Sequence, residues 1–247
     1  MGDDFVARAR SFGTVADAYE RARPGYPDDA VRWLAGDVPC DVVDVGAGTG
    51  KLTRSLVAHG HRVTAVEPSA EMLAQLRAAV PGAIPLEGTG EAIPLPDESA
   101  DIVTAAQAFH WFDKPAALRE IARVLRPGGR VALVWNARDD TEPWVSEFTE
   151  TVIAQSTFLK GGVAATTTSI DESGLYRPVE RATFAHVQPL RRSELVELVR
   201  SRSECAVLAE EERRPVLDRL DALFDAHAVE GTLSMPYVTE CFRAAKR

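Results

Sequence analysis

The glycine-rich segment at residues 46–50 is the part of the sequence best suited to binding a ligand. Gly46, Gly48 and Gly50 follow a short apolar run at 41–45 and precede residues with helical spacing. Glycine lets the backbone approach a ligand closely, and the N-terminus of the following helix offers unpaired N–H groups. Open α/β sheets bind ligands at the carboxyl ends of their strands, so this loop is a candidate cofactor site.

The spacing of these glycines narrows the choice of ligand. A phosphate-binding P-loop needs Gly-x-x-x-x-Gly-Lys-Ser/Thr, but Val45 and Leu52 stand at its first and last positions. A dinucleotide fingerprint needs Gly-x-Gly-x-x-Gly, and Lys51 occupies the place of the third glycine. The pattern therefore excludes a P-loop and disfavours NAD, which leaves an NAD-dependent oxidoreductase as a less favoured alternative.

An acidic residue ends the second predicted strand. Glu67 follows the apolar run at 62–66 and lies one predicted helix and one predicted strand after Gly46. A carboxylate at this place can accept hydrogen bonds from both hydroxyls of an adenosine ribose, whichever cofactor carries it. The loop at 88–97 follows the third predicted strand, and we expect it to flank the adenine ring.

Strands and helices alternate through the first 136 residues, as the positions of apolar residues show. Short apolar runs predict strands at 41–45, 62–66, 83–86, 101–106 and 130–135. Helical spacing fills the intervals, and Ser69 and Asp113 stand where helix N-caps are expected. This alternation predicts an α/β fold with a doubly wound, mostly parallel, seven-stranded sheet.

The remaining third of the chain has a weaker pattern. Its apolar spacing predicts helices at 142–158, 193–202 and 210–225, strands at 181–187 and 236–244, and a connection rich in Gly, Thr and Ser at 160–173. We predict a single domain, 1–247, with N-terminal cap helices in 1–36, a cofactor-binding core in 37–136, and substrate-cover helices and final strands in 137–247. The helices before the last strand form an insertion.

The amino-acid composition limits the kinds of molecule that the protein is expected to bind. The 247 residues include 37 acidic and 28 basic side chains, a formal net charge of −9, which disfavours nucleic acid and anionic membranes. The three cysteines have no disulfide or metal-ligand spacing, and no metal site is predicted. Neither a leader nor a membrane span is evident, so we expect a cytoplasmic protein, either monomeric or homodimeric, that acts on a small molecule.

Five segments, in order, resemble the motifs of class I S-adenosylmethionine-dependent methyltransferases. They are AYERARPGYP (18–27), VVDVGAGTGKLT (42–53), AVEPSAEML (65–73), GTGEAIPLPDESADIVTAAQAFHWF (88–112) and EIARVLRPGGRVALVWN (120–136). Within that class the chain is similar to the type 11 methyltransferase-domain family. The first segment and AFHWF resemble its trans-aconitate methyltransferase-like group. The resemblance implies a Rossmann-like fold and S-adenosyl-L-methionine as cofactor, with S-adenosyl-L-homocysteine as product.

The resemblance also implies roles for individual residues. The methionine part of the cofactor would lie beside Asp44, Gly46, Ala47 and Gly48. The adenosine part would contact Glu67 at the ribose, Pro68 and Met72 on the adenine face, and Thr89, Gly90 and Glu91 at the adenine edge. Gln107 would contact the cofactor through its backbone, and Tyr19 and Arg23 would close over it. Many relatives carry Asp at the position of Thr89, so the contact to the adenine amino group differs here.

Methyl transfer from a sulfonium is an in-line displacement, and it depends mainly on positioning. A base is needed only when the acceptor arrives protonated, and His110 is then the candidate catalytic residue. The segment AAQAFHW lacks the Asp/Asn-Pro-Pro-aromatic signature of methyltransferases that act on amino groups of adenine or glutamine. We therefore expect a small-molecule acceptor methylated on oxygen. Nitrogen and carbon acceptors, and a cofactor-binding protein without catalysis, remain open.

Overall fold

The structure, a computed structural model, describes residues 23–153, 162–200 and 210–247. Within these ranges the chain forms one seven-stranded sheet with helices on both faces. The strands are β1 Asp41–Val45, β2 Arg62–Glu67, β3 Ile84–Glu87, β4 Ala100–Ala106, β5 Leu125–Arg138, β6 Glu180–Leu190 and β7 Leu233–Ala245. The predicted position of Tyr19, and most of the predicted N-terminal helices, lie outside the described residues.

The order of the strands is β3-β2-β1-β4-β5-β7-β6. Strands β1 to β5 are parallel to one another, whereas β7 runs antiparallel to both β5 and β6. The strand order reverses between β1 and β4, so a crevice opens beyond the carboxyl ends of these two strands. The glycine-rich loop follows β1 directly, which confirms both the predicted fold class and the expected position of the loop at this edge.

The helices are α1 Asp28–Ala35, α2 Lys51–Ala58, α3 Ala70–Ala79, α4 Lys114–Val124, α5 Pro143–Ile153, α6 Gly162–Glu172, α7 Arg192–Arg200 and α8 Glu210–His227. Both predicted caps are present. The side chain of Ser69 accepts a hydrogen bond from the backbone of Met72, and that of Asp113 accepts one from Ala116. Helices α7 and α8 lie between β6 and β7, which confirms a helical insertion before the last strand.

The central strands are apolar on both sides because helices cover both faces of the sheet. In β1, Val43 and Val45 pack into a core that α4 and α6 close, whereas Val42 packs into one that α1 and α2 close. A third cluster joins α5, α7 and α8 to the start of β7. The insertion thus has its own apolar core, adjoining the carboxyl edge of β5. The division into residue ranges 1–36, 37–136 and 137–247 stays a prediction.

Two local predictions are wrong. The segment at 160–173 contains α6 rather than an irregular connection, because Thr167 and Ile170 are buried and tertiary packing outweighs the low helix propensity of Gly and Thr. Strand β5 begins at Leu125 rather than at residue 130. It includes the Pro-Gly-Gly sequence, with a shift in register against β4 between Ala100 and Ile102.

Candidate functional site

The glycine-rich loop is shaped by positive backbone angles and by anchoring to β2. Gly46, Gly48 and Gly50 have φ values of +66°, +58° and +92°. The amides of Gly46 and Ala47 both donate to the carbonyl oxygen of Val66, at 2.8 and 3.2 Å. A Cβ atom on Gly46 would lie 2.6 Å from the Cβ of Ala108, closer than real contacts allow. Only glycine satisfies both the backbone angle and the close approach of the loop to the segment after β4.

Glu67 is buried against this loop, at the carboxyl end of β2. Its Oε2 accepts a hydrogen bond from the backbone N–H of Gly48 at 3.0 Å, and its Oε1 accepts one from Ser69 at 3.1 Å. Burial raises the pKa of the carboxyl group, and the two N–H donors act against that shift. Each carboxylate oxygen has a second lone pair, so Glu67 can accept from ligand hydroxyls while it holds the loop.

Asp44 lies beneath the loop rather than on its surface. Its side chain is 1% exposed, and its two oxygens accept hydrogen bonds from the hydroxyls of Thr53 at 2.7 Å and Thr104 at 2.8 Å. Burial raises the pKa of Asp44 to about 6, with the two hydroxyls opposing the shift. Through these two hydrogen bonds the carboxyl group of Asp44 stabilises the turn between β1 and α2. Its ionised form adds negative electrostatic potential beneath the glycine-rich loop.

This buried carboxyl group predicts a dependence of stability on pH. The folded pKa of Asp44 is about 6 against 3.8 for the free side chain, so the folded state binds the proton more tightly. Its contribution is most favourable below about pH 4 and is lost as pH rises through about 6. Relative to the unaltered protein, Asp44→Asn should gain up to about 3 kcal/mol of unfolding free energy across that window.

Urea unfolding at closely spaced pH values measures this gain. Asp29→Asn, at an exposed aspartate on α1, is the matched control. For that variant we expect no gain of comparable size across the same pH range, because the side chain that it replaces is exposed. If Asp44→Asn and Asp29→Asn gave parallel curves, Asp44 would not be the buried proton-binding group described here.

The loop after β3 packs against the segment after β4 and accepts a hydrogen bond from it. A Cβ atom on Gly90 would lie 2.7 Å from the ring of Phe112, so the ring packs directly on this glycine. The same ring lies 3.4 Å from the Cβ position of Gly46. The carboxylate of Glu91 accepts a hydrogen bond from the N–H of Asp113 at 2.8 Å. Phe112 therefore contacts both loops that the sequence assigned to the cofactor.

Gln107 turns the chain sharply at the end of β4. It has φ +54°, its N–H donates to the carbonyl of Val134 at 2.9 Å, and its side-chain amide donates to the carbonyl of Asn136 at 3.2 Å. Non-glycine residues with positive φ are uncommon and are held by their surroundings. These two bonds to β5 hold Gln107 in this conformation at the strand-order reversal, where its backbone borders the crevice.

His110 lies in a short 3₁₀ turn, Phe109–Trp111, next to the same crevice. Its Nδ1 accepts a hydrogen bond from the indole N–H of Trp135 at 3.4 Å, and its ring packs against that of Trp111. Burial, with a smaller contribution from Lys114, lowers the pKa of His110 to about 4. The imidazole is therefore neutral at ordinary pH, with its remaining proton on Nε2. Its assignment as a base stays a prediction.

The structure brings most of the predicted cofactor residues to one edge of the sheet. The Sδ atom of Met72 lies 3.9 Å from the Cβ position of Gly48, so Met72 borders the glycine loop. Pro68 and Thr89 follow the neighbouring ends of β2 and β3, and Arg23 is half-buried at the start of the described chain. The individual contacts assigned to these residues stay predictions.

Sequence reasoning assigned no role to Thr53 and Thr104, the two hydroxyl donors to Asp44. A signal for one of them was present, because Thr104 is a polar residue within an apolar strand and stands opposite Asp44 in the register of β1 and β4. Among the residues that the structure describes, no group of three potential ligands could hold a metal ion. None of the helices described is long and apolar enough to cross a bilayer.

Comparisons with known proteins agree with this geometry. Residues 43–133 match the family described as a methyltransferase domain. An uncharacterized methyltransferase of Mycobacterium tuberculosis strain H37Rv is 44% identical over 237 residues, which is 95% of each chain. The malonyl-acyl-carrier-protein O-methyltransferase of Pectobacterium atrosepticum is 38% identical over 130 residues, 51% of each chain.

Among solved structures, the fold is similar to that of Haemonchus contortus phosphoethanolamine N-methyltransferase 2, in complex with phosphomonomethylethanolamine and S-adenosylhomocysteine. The TM-score is 0.59 at 17% identity, covering 98% of this chain and 59% of that one. The relative that spans nearly the whole sequence shows the family: the chain belongs to the S-adenosylmethionine-dependent methyltransferases of class I. It is a methyltransferase, its cofactor is S-adenosyl-L-methionine, and the NAD-dependent alternative is set aside.

The residues at the edge fit this cofactor chemically. Gly48 leaves the backbone open beside Met72, since a Cβ atom on it would meet only the sulfur of Met72, at 3.9 Å. Glu67 offers hydrogen-bond acceptors at the carboxyl end of β2, the place where an acidic residue binds ribose hydroxyls in dinucleotide-binding α/β folds. Asp44 and Glu67 make the site acidic, which suits a cationic sulfonium and disfavours a phosphate group.

Proposed function

We propose that this methyltransferase modifies a small-molecule acceptor on oxygen, with a carboxylate as the acceptor group. S-Adenosyl-L-methionine supplies the activated methyl group. The chain positions the cofactor: the loop at 46–48 would hold the methionine part and Glu67 the ribose. Met72 would pack on the adenine face, and Gly90 would border the adenine edge. Tyr19 and Arg23 would close over the cofactor, as in the trans-aconitate methyltransferase-like group that the sequence resembles.

The protonation state of His110 is the observation that supports a carboxylate as the acceptor. Its pKa is lowered to about 4, and its Nδ1 already accepts a hydrogen bond from Trp135. A neutral imidazole in this arrangement presents an N–H at Nε2, which can donate a hydrogen bond but cannot take up a proton there. An acceptor that arrives ionised needs no base, and a carboxylate is ionised at neutral pH. The arrangement therefore favours carboxylate methylation over methylation of an alcohol.

Two further observations support the proposal. The relative from P. atrosepticum is named as an O-methyltransferase. The net charge of −9 disfavours a nucleic acid substrate. An amine acceptor is the second candidate. A neutral amine can attack the methyl group without a base, and only a protonated amine must first lose a proton.

The experiment uses S-adenosyl-L-methionine with a labelled methyl group and a panel of small carboxylic acids, alcohols and amines. Methyl esters release labelled methanol in mild alkali, whereas methyl ethers and methylamines do not. We expect label that alkali releases, formed only with carboxylic acids. Alkali-stable label on an alcohol or an amine would contradict the proposal. The variant Glu67→Ala, tested below a saturating cofactor concentration, controls for methylation that does not use this site.

Replacement of His110 distinguishes the two kinds of oxygen acceptor. For a carboxylate, we expect His110→Gln to change kcat by no more than about threefold, because no proton leaves the acceptor. For an alcohol, loss of a general base lowers kcat by about 10²- to 10⁴-fold. Glutamine can still accept from the indole of Trp135, which preserves local packing. Steady-state kinetics with the acceptor that the panel identifies makes the measurement, and a fall in kcat of about 10²-fold or more would contradict a carboxylate acceptor.

A further inference from the structure

Asn136, at the carboxyl end of β5, contacts three elements around the cofactor site. Its side-chain Nδ2 donates a hydrogen bond to the carbonyl of Gly25 at 2.9 Å, and its Oδ1 accepts one from the hydroxyl of Thr239 at 2.6 Å. Its backbone carbonyl accepts the side-chain amide of Gln107 at 3.2 Å. Gly25 belongs to the segment that precedes α1, Gln107 follows β4, and Thr239 lies on β7.

The directions of these hydrogen bonds determine the orientation of the amide. The carbonyl of Gly25 can only accept, so the nitrogen of Asn136 must face it and the oxygen must face Thr239. Thr239 is fully buried, and its single proton goes to Asn136. The hydroxyl therefore accepts from Nδ1 of His186 at 3.2 Å, so Nδ1 of that imidazole carries the proton. A continuous chain of bonds runs from β6 through β7 and β5 to the N-terminal segment.

We propose that Asn136 is a positioning residue that holds the segment at 23–25 and the turn at Gln107 in fixed places around the cofactor. The inference rests on the proposed function, which places Arg23 over the cofactor, and on the prediction from the sequence resemblance that the backbone of Gln107 contacts it. Arg23 lies two residues from the carbonyl that Asn136 binds. Asn136 acts by preorganisation: a segment already ordered before the cofactor binds costs less to order during binding.

The substitutions Asn136→Asp and Thr239→Val test the two ends of this amide. Aspartate has nearly the same shape and can still accept from Thr239, but it places a carboxylate oxygen against the carbonyl of Gly25. Valine removes the hydroxyl that orients the amide and keeps its volume. Thr239→Ser keeps the hydroxyl and serves as the conservative variant. Thr183→Val, at an exposed position on the neighbouring β6, is the matched control for threonine-to-valine exchange in the sheet.

Calorimetric titration with S-adenosylhomocysteine is the first readout. We expect Thr239→Val to raise the Kd about two- to tenfold, the range for one neutral hydrogen bond, and Asn136→Asp to raise it by about tenfold or more. Thr239→Ser and Thr183→Val should stay within about twofold of the unaltered chain. In turnover assays the KM for the cofactor should rise while kcat at saturation changes little, because the chain of bonds acts on binding.

A second readout observes the amide directly. Asn136 is the only asparagine in the chain, so asparagine labelled with ¹⁵N in its side chain gives one NH₂ signal. In Thr239→Val we expect this signal to shift and its protons to exchange faster with water, and in Thr239→Ser to resemble the unaltered protein. A purely structural role would lower the melting temperature of Thr239→Val without changing its Kd at low temperature.

The outcomes separate this proposal from the one on which it rests. Equal Kd values for the unaltered chain, Asn136→Asp and Thr239→Val would overturn the role of Asn136 alone. Failure of the unaltered chain to bind S-adenosylhomocysteine would overturn the cofactor site and the role of Asn136 together. Binding with the expected ranking of variants, but without methylation of any carboxylic acid, would support Asn136 and contradict only the proposed acceptor.

Discussion

Replacement of Glu67 by alanine is expected to weaken binding of S-adenosylhomocysteine by about 1–3 kcal/mol, the cost of leaving buried hydrogen-bonding groups unpaired. This corresponds to an increase in Kd of roughly 5- to 150-fold. Two effects add in the same direction. In the proposed complex the ribose hydroxyls lose their acceptor, and the backbone N–H groups of Gly48 and Ser69 lose the oxygens that fix the glycine loop. Isothermal titration calorimetry measures the change.

The design includes a control at the adjacent strand end and a more conservative variant. Glu87 stands opposite Glu67 in the register of β2 and β3 and is exposed, so Glu87→Ala should leave the Kd unchanged. Glu67→Gln keeps the shape of the side chain. However, both carboxylate oxygens accept from backbone N–H groups, so its amide nitrogen must face a donor, and we expect part of the loss. Equal Kd values for Glu67→Ala and Glu87→Ala would remove Glu67 from the site.

Gly46→Ala is expected to lower stability and abolish measurable cofactor binding. Alanine at φ +66° is strained by about 1–2 kcal/mol. Its Cβ would also lie 2.6 Å from that of Ala108, and such overpacking typically costs a further 1–3 kcal/mol or so. Relief of the contact requires the loop to move away from the segment after β4. That movement separates the two halves of the cofactor site.

A second glycine isolates the contribution of the close contact. Gly174 has φ +70° and no atom within 4 Å of its Cβ position, so Gly174→Ala carries only the backbone strain. Denaturant unfolding of the two variants should differ by about 1–3 kcal/mol, with Gly46→Ala the less stable. Calorimetry should detect S-adenosylhomocysteine binding by Gly174→Ala alone. If the two variants had the same stability and the same affinity, the loop would not be packed against Ala108 as described.

The first half of the fold could be predicted because its local and tertiary signals agree. β1 is an apolar run bounded by a glycine loop, and Ser69 and Asp113 cap the helices where their positions indicated. The helix α6 was missed for the opposite reason. Glycine and threonine disfavour helix, and only the burial of Ile170 against the sheet, which no local pattern reveals, makes that segment helical.

The positions of some residues of the candidate site could likewise be predicted from the sequence, whereas those of others could not. The glycine loop and Glu67 have a spacing that relates directly to the carboxyl edge of a parallel sheet, so their positions follow from the sequence. The role of Asn136 does not. Its partners Gly25 and Thr239 are far away in the chain, and strand β7 must return antiparallel beside β5 before the side chains meet. Contacts of that kind depend on tertiary register rather than on local spacing.

The central claim is that the carboxyl edge of β1, β2 and β4 binds S-adenosyl-L-methionine. Calorimetric titration of the unaltered protein with S-adenosylhomocysteine, beside NAD under identical conditions, tests it most directly. The site described here predicts saturable, one-to-one, micromolar binding of S-adenosylhomocysteine and no heat of binding with NAD. Binding of NAD alone, or of neither compound, would contradict it.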